Sequence, residues 1–186
     1  MANKGWLLSL VWAVPLLLLA SPGELLMLGA AVLLHEGGHL LAFRLLGEPC
    51  PRLAPVTAGL TLLPRRPLSY RHEAIIALAG PFPNLLAAVA LPLACRSPAA
   101  LIFAVVQLLV GLTNLLPIGR SDGARALSAL LSLLLPLRAA EGIARGVSLF
   151  FFLLLLFFLL FLLLHEGGGG LLLLLITLLL RIAQHP

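Results

Sequence analysis

An apolar run over residues 25–46 is interrupted near its middle by the five residues His-Glu-Gly-Gly-His. At 1.5 Å per residue, a helix of this length crosses the roughly 30 Å hydrocarbon core of a bilayer. A charge at the centre of such a helix costs about 2.5–3.5 kcal/mol on insertion scales, so ionisable residues there normally serve a function. The run therefore predicts a membrane-spanning helix that carries a site.

The spacing within this motif indicates what the site binds. His35 and His39 are four residues apart, so a helix places them on one face, where both imidazoles can reach a single ion. Zn²⁺ accepts such nitrogens, and the glutamate after the first histidine, here Glu36, is the usual general base of a metalloprotease. In a soluble helix the same residues would form a solvated face. In an apolar helix they predict zinc ligands at His35 and His39, with Glu36 as the catalytic base.

Composition places the whole chain in the membrane. Of the 186 residues, 61% are hydrophobic and only 10% charged, whereas a soluble domain carries about 25% charged residues. The net charge of +5 is better explained by basic cytoplasmic loops than by nucleic-acid binding. Cys50 and Cys95 fall in loops on opposite sides of the predicted membrane, which predicts neither a disulfide nor a cysteine-ligated zinc.

The apolar segments predict an all-α polytopic protein with about six transmembrane helices. We expect one membrane-embedded domain over residues 1–186, with its core at 24–135, lipid-facing C-terminal spans within 147–182, and no room for an appended soluble domain. The first segment also has the pattern of a cleaved signal peptide, but a retained span is favoured, because the chain turns tightly at residues 21–24 straight into the next helix. The predicted spans are residues 6–20, 24–46, 73–95, 99–116, 147–164 and 171–182.

Shorter features divide these spans. Ser21 and Glu24, with Pro22 between them, predict a capping box at the start of the second span. Residues 56–63 alone have strand character, which predicts a short strand-like loop after the helix with the two histidines. We expect His72 and His165 in loops, without partners.

The distribution of basic residues predicts the orientation. With a cytoplasmic N-terminus and six alternating spans, all twelve lysines and arginines except Arg96 lie on the inside, as the positive-inside rule requires. We therefore expect a multi-pass protein of the cell membrane with both termini in the cytoplasm. His39 then lies about seven residues, roughly 10 Å, from the cytoplasmic end of its helix.

Catalytic zinc usually has three protein ligands, so a third must come from outside the motif. Asp122 is the chain's only aspartate, and it follows a helix-breaking stretch at the end of the fourth span. It is predicted at the same membrane depth as His39, which favours it as the third ligand. The alternative is that Asp122, or Ser121 before it, merely caps the helix that begins near Gly123.

Three motifs together resemble the site-2 protease family of intramembrane zinc metalloproteases, and its compact stage IV sporulation protein FB branch in particular. The motifs are the histidine motif in a membrane helix, a Gly-Pro-x-x-Asn stretch ending at Asn84, and Asn-Leu-Leu-Pro from Asn114 followed by an Asp-Gly pair at Asp122. The resemblance covers residues 25–125. The PDZ and CBS domains of some relatives are absent from the sequence, so a nucleotide-sensing role has no support.

The resemblance implies His35, His39 and Asp122 as ligands of one zinc ion per chain, with Glu36 as base. It implies that Asn84 and Asn114 bind or order the substrate, although by their residue type alone both could simply bond a neighbouring helix. It also implies that the segment after the helix with the two histidines is a strand-like re-entrant loop that dips into the membrane, and that residues 56–63 pair there with an extended substrate by strand addition.

The sequence departs from the family pattern on either side of Asp122. Ala124 replaces a common glycine, and the effect of Arg120, two residues before Asp122, stays open.

The function that follows is hydrolysis of a peptide bond in a membrane-associated protein, such as a regulator or a sigma-factor precursor, near the cytoplasmic face. The expected partners are this substrate, the lipid bilayer and a membrane regulatory protein, and no nucleic acid. Two alternatives come from other classes. A zinc-binding or zinc-transport protein would not need Glu36 placed as a base, and a catalytically silent scaffold is expected to have lost part of the motif.

Overall fold

The structure of the protein, a computed structural model, describes residues 21–56 and 59–166. In chain order they form α1 (Pro22–Leu45), β1 (Arg52–Val56), β2 (Gly59–Leu63), α2 (Tyr70–Ala79), α3 (Pro81–Ala94), α4 (Pro98–Leu115), α5 (Asp122–Leu134) and α6 (Leu137–Glu166). The described part is therefore mainly helical, as predicted.

Four stretches of the described chain are long and apolar enough to cross a membrane. They are α1, the continuous α2–α3 stretch Tyr70–Ala94, α4, and Leu137–Leu162 within α6. The structure thus supports a multi-pass membrane protein. The predicted spans 6–20 and 171–182 lie outside the described residues, so the number six stays a prediction.

Serine side chains cap the starts of four of the described helices, α1, α2, α4 and α5. At α1 the predicted capping box is confirmed: the Ser21 hydroxyl accepts from the backbone N–H of Glu24 at 3.3 Å, and the Glu24 carboxylate accepts from the backbone N–H of Ser21 at 2.7 Å. Pro22 occupies the first helical position, where its missing N–H costs nothing. Ser97 caps α4 through its hydroxyl alone, which accepts from the backbone N–H of Ala100 at 3.2 Å, again with a proline following the serine.

The end of α1 is a Schellman turn around Gly47. Its φ of 66° is in the left-handed region, and the N–H of Glu48 donates to the Phe43 carbonyl at 2.9 Å. The turn directs the Glu48 carboxylate to Arg66 (2.8 Å) and His72 (2.7 Å). These hydrogen bonds, first that from His72 and then that from Arg66, hold the pKa of the Glu48 carboxyl below its usual value.

This cluster corrects the prediction for His72, which we expected in a loop without a partner. The residue lies in the first turn of α2, and its backbone N–H donates to the capping hydroxyl of Ser69 at 3.2 Å. Contacts between residues 24 positions apart in the chain, such as that of His72 with Glu48, are set by tertiary packing and leave no periodic signal in the sequence. The cluster joins the chain before β1 to the chain after β2.

The segment between these contacts is a two-stranded antiparallel hairpin. Arg52 pairs with Leu63 at one end and Val56 with Gly59 at the other. The single strand predicted at residues 56–63 therefore covers the second strand and the last residue of the first, Val56, and the rest of the first strand was missed. Pro55 argues against a strand in the sequence, but a two-stranded sheet has only edge strands, which tolerate a missing N–H.

Two glycines allow the backbones of neighbouring helices to pack closely. A Cβ on Gly38 of α1 would collide with the carbonyl oxygen of Ala79, where α2 ends. A Cβ on Gly123 of α5 would collide with the carbonyl oxygen of Leu115, where α4 ends. Both positions let one backbone approach another directly, so they bring α1 against the α2–α3 junction and the start of α5 against the end of α4.

The last described helix is longer than predicted. We expected a span at 147–164 followed by a loop, but α6 is continuous from Leu137 to Glu166 and includes His165. Its first turns are rich in alanine and arginine, which favour helix, and Glu141 and Arg145 form an i, i+4 ion pair at 3.5 Å. Ile118 and Leu159 form the buried contact between α6 and the loop before α5.

Candidate metal centre

Three buried side chains from two distant helices meet at one point. His35 and His39 come from α1, and Asp122 comes from the first position of α5; their exposed fractions are 5%, 5% and 7%. Asp122 Oδ2 lies 2.9 Å from Nε2 of His35 and 3.2 Å from Nε2 of His39, and the two Nε2 atoms are 3.2 Å apart. The structure thus brings together the three residues predicted as ligands, as a group that could hold a metal ion.

The ring of His39 is oriented by the backbone. Its Nδ1 lies 2.7 Å from the carbonyl oxygen of Ile76 in α2. A carbonyl oxygen only accepts hydrogen bonds, so Nδ1 must carry the proton. In the neutral ring, Nε2 is then the unprotonated nitrogen, and its lone pair points towards Asp122. Metal-bound histidines are usually held by such a bond from the other ring nitrogen.

The ring of His35 is oriented by a chain of side chains. Its Nδ1 donates to Oδ1 of Asn84 at 3.1 Å. The Asn84 amide is itself oriented by acceptors, because its Nδ2 donates to the Ala31 carbonyl at 2.9 Å and to Oε1 of Gln107 at 2.6 Å. The Ala31 carbonyl requires the NH₂ group on its side, which leaves the amide oxygen for His35. His35 therefore also presents an unprotonated Nε2.

These orientations determine what the site can bind. Two Nε2 lone pairs and a carboxylate oxygen face one another at 2.9–3.2 Å, and this arrangement is favourable only with a cation, either a metal ion or an added proton. Tetrahedral zinc with ligand bonds of 2.0–2.1 Å places its ligand atoms roughly 3.3 Å apart, close to the observed separations. The donor set and its spacing both fit zinc.

Gly80, at the junction of α2 and α3, keeps space open beside these atoms. A Cβ at this position would collide with Nε2 of His39 and would lie 2.9 Å from Nε2 of His35. Any larger residue would fill the space next to both nitrogens. The Gly-Pro pair that begins α3 thus forms one wall of the site.

The sequence left two roles open for Asp122, ligand or helix cap. The cap of α5 is Ser121, whose hydroxyl accepts from the backbone N–H of Ala124 at 3.1 Å and donates to the Leu116 carbonyl. Asp122 is therefore free to direct its carboxylate away from the helix axis, towards the histidines. Ser121 can cap the helix while Asp122 faces the histidines because Gly119, with φ of 63°, turns the chain just before them.

Glu36 stands apart from this hydrogen-bonding network. Its side chain is half-buried, and within the described residues it makes no hydrogen bond and no ion pair. It precedes His39 by three residues, which places both on the same side of α1. A carboxylate beside a group that could hold a metal, with no partner among the residues described, has the properties that a general base requires.

The two asparagines predicted to bind or order the substrate occupy different environments. Asn84 is 0% exposed and is hydrogen-bonded to His35, so it orients one of the candidate metal ligands. Asn114 is half-buried, and its amide donates to the Val110 carbonyl of its own helix at 2.9 Å. In the described structure it makes no hydrogen bond to the three clustered residues.

Other residues of the site were not found from the sequence. Gln107 is 1% exposed inside the apolar helix α4, and the rule that a buried amide must be bonded could have identified it. Arg125 donates to Oδ1 of Asp122 at 3.3 Å and pairs with Glu73 at 2.7 Å. Arg120, the arginine that the sequence raised as a neighbour of Asp122, is exposed.

Comparison with known proteins was positive for structure alone. No protein-family model matches the sequence, and no curated protein matches it either. Among solved structures, the chain is similar to the site-2 protease from Methanocaldococcus jannaschii, with a TM-score of 0.67 and 22% identity. The match covers 97% of this chain and 87% of that chain. The predicted resemblance is thus confirmed at the level of the fold, and 22% identity does not distinguish branches of that family.

Proposed function

We propose that the chain is an intramembrane zinc metalloprotease of the site-2 protease type, which hydrolyses a peptide bond in a membrane-associated protein. The observation that carries the proposal is the meeting of two histidine Nε2 atoms and one aspartate oxygen at 2.9–3.2 Å, beside Glu36, which has no hydrogen-bond or ion-pair partner within the described residues. The fold shared with a site-2 protease supports the same function.

In this proposal His35, His39 and Asp122 hold one zinc ion per chain and leave one of four coordination positions for water or substrate. When bound, zinc supplies Lewis-acid polarisation and lowers the pKa of water to about 7. Asn84 keeps Nε2 of His35 available for this purpose, and the Ile76 carbonyl does the same for His39.

Glu36 performs the proton transfers. It accepts the proton of the attacking water and passes that proton to the nitrogen of the leaving amine. The absence of any hydrogen bond to its carboxylate within the described residues supports this role, because a base already engaged in an ion pair has a lower proton affinity.

The hairpin is the proposed place for the substrate backbone. The carbonyls of a helical substrate are hydrogen-bonded within the helix, so the cleaved segment must first become extended. In the described structure each strand of the hairpin pairs only with the other, which leaves backbone groups on the outer edges to bond an added strand. Strand addition at residues 56–63 remains the proposal made from the sequence.

The side of cleavage follows from the charge distribution. All basic residues except Arg96 fall on the predicted cytoplasmic side, so we place both termini in the cytoplasm and the cut near that face. A regulator or a sigma-factor precursor is the type of substrate suggested by the resemblance to the sporulation branch. The retained first span belongs to the same proposal.

The test begins with the zinc content of purified protein in detergent. We expect about one zinc ion per chain in the wild type and in Glu36→Gln, and a sharp loss in Asp122→Ala. Stoichiometric zinc that Asp122→Ala leaves unchanged would mean that the third ligand is wrongly assigned. No zinc in the wild type after reconstitution would contradict the proposal.

The second measurement separates a protease from a transport protein. Wild type and Glu36→Gln are reconstituted in vesicles with a mixture of synthetic single-span peptides, and cleavage is measured with and without a zinc chelator. We expect cleavage by the wild type only, and its loss with chelator. Uncleaved peptides, together with zinc uptake into vesicles that Glu36→Gln leaves intact, would favour the transport alternative.

A further inference from the structure

The carboxylate of Asp122 has two different neighbourhoods. Its Oδ2 faces the two histidines, whereas its Oδ1 accepts a hydrogen bond from Nη1 of Arg125 at 3.3 Å. The other edge of the same guanidinium donates to Oε1 of Glu73, from Nε at 2.8 Å and from Nη2 at 2.7 Å. One arginine thus links a carboxylate of α2 to the carboxylate at the start of α5.

We infer that Arg125 is a positioning residue that makes Asp122 offer a single oxygen to the metal, and that Glu73 holds Arg125 in place. This inference rests on the proposed zinc site. The terminal torsion of an aspartate is soft, so an unrestrained carboxylate exchanges its two oxygens or offers both at once. A donor fixed on Oδ1 removes this freedom and leaves Oδ2 for the ion.

Glu73 also compensates the positive charge that Arg125 brings close to the proposed metal site. A lone guanidinium next to a metal ligand would repel the ion and withdraw charge from the carboxylate. The side chains of Arg125 and Glu73 are 28% and 27% exposed, so they lie at the edge of the site and their charges compensate each other. The pair supplies the orienting hydrogen bond with little net charge beside the metal.

Arg120 is the matched control for Arg125. Both arginines are close to Asp122 in the sequence, but Arg120 is exposed and, among the described residues, makes no ion pair or hydrogen bond. If only the overall positive charge matters, replacing either arginine should change zinc affinity. If the contact with Oδ1 matters, only the replacement of Arg125 should change it.

The experiment measures zinc affinity of the purified protein in detergent by competition with a chromogenic chelator. We expect Arg125→Met to bind zinc about 10- to 100-fold more weakly, as is typical when the partner of a metal ligand is removed, and Arg120→Met to stay within about twofold of wild type. Glu73→Gln leaves the charge of Arg125 uncompensated but keeps its hydrogen bond to Asp122. Its loss of zinc affinity should therefore be smaller than that of Arg125→Met, and this loss should decrease at high salt.

The double variant tests whether Glu73 acts through Arg125. Adding Glu73→Gln to Arg125→Met should change zinc affinity by no more than about twofold. Additive losses would contradict this part of the inference. Cobalt substitution gives a signature independent of affinity: the wild type should show the intense visible bands of four-coordinate Co²⁺, and Arg125→Met weaker bands from a bidentate carboxylate.

The outcomes that overturn the inference differ from those that overturn the proposed function. Wild-type zinc affinity and an unchanged cobalt spectrum in Arg125→Met would overturn the inference alone. A wild type without zinc would remove the proposed function and the inference with it. If Arg125→Met does not fold, zinc affinity is measured in Arg125→Lys and Glu73→Gln instead. Wild-type zinc affinity in both of these variants would overturn the inference.

Discussion

His35 and His39 lie one turn apart on α1, but the protein orients the two rings differently. The Nδ1 of His39 donates to a backbone carbonyl, that of Ile76, over 2.7 Å. The Nδ1 of His35 donates to a side chain, Asn84, which in turn depends on Gln107 and on the Ala31 carbonyl. A backbone acceptor is present whatever the side chain, whereas a side-chain acceptor disappears with one substitution. The His35 half of the site should therefore be the more sensitive to mutation.

The largest expected loss of zinc affinity comes from a substitution that disturbs both histidines at once. Gly80→Ala places a methyl group against Nε2 of both rings, and we expect zinc affinity to fall by more than about 100-fold, beyond the usual loss for outer-shell changes. Gly37→Ala is the control, because a Cβ on Gly37 meets nothing within 4 Å. Equal zinc content in the two variants would show that the space beside Gly80 is not needed.

The next prediction tests the His35 half. Asn84→Leu removes the acceptor for Nδ1, so the ring loses its fixed tautomer and zinc affinity should fall about 10- to 100-fold. Asn114→Leu is a matched control, because this asparagine bonds only its own helix in the described structure, and its zinc affinity should stay within about twofold. Chelator competition measures both, and similar losses in the two variants would contradict the special role of Asn84.

A smaller effect is expected one step further from the metal. Gln107→Leu leaves one N–H of Asn84 buried without an acceptor, which costs about 1–3 kcal/mol of folding free energy. The Ala31 carbonyl still orients the amide, so zinc affinity should fall less than tenfold. Thermal unfolding of the zinc-free protein and chelator competition separate these two effects. A loss of zinc as large as in Asn84→Leu would mean that Gln107, rather than the backbone, orients Asn84.

The smallest effect on zinc should come from the side chain of Ile76, whose carbonyl orients His39. Ile76→Val changes a buried side chain that packs against Ala42 and Phe43, and it should cost about 0.5–1.5 kcal/mol of stability. It leaves the carbonyl in place, so zinc affinity should remain within about twofold of wild type. A tenfold loss would show that the side chain, through its packing, sets the position of the carbonyl.

Local patterns in the sequence were sufficient for a large part of this protein. The apolar run at 25–46 and the low charge predict membrane helices because a bilayer tolerates few alternatives. The histidine spacing predicts shared ligation because the helical repeat is fixed. The capping box at Ser21 follows from residues three apart in the chain. Each of these predictions depends on neighbours in the sequence, where chemistry and geometry are known in advance.

Longer-range relations were accessible only in part. A single aspartate at a matching depth indicated Asp122, but whether Asp122 or Ser121 caps α5 depends on the turn at Gly119 and on the Leu116 carbonyl. The hairpin was predicted as one strand, because the pairing of β1 with β2, which overrides the unfavourable Pro55, leaves no local pattern in the sequence. His165 was expected in a loop, although α6 continues through it.

What the sequence by itself determined is the setting and the chemistry: membrane helices, a zinc-type pair of histidines with an adjacent glutamate, and an aspartate to complete them. Only the tertiary structure decided which groups orient these residues. Asn84 and His35 are 49 positions apart, and Arg125 and Glu73 are 52. Such partners are chosen by the packing of α1, α2, α3, α4 and α5, because a buried polar group must bond whatever the folded chain places beside it.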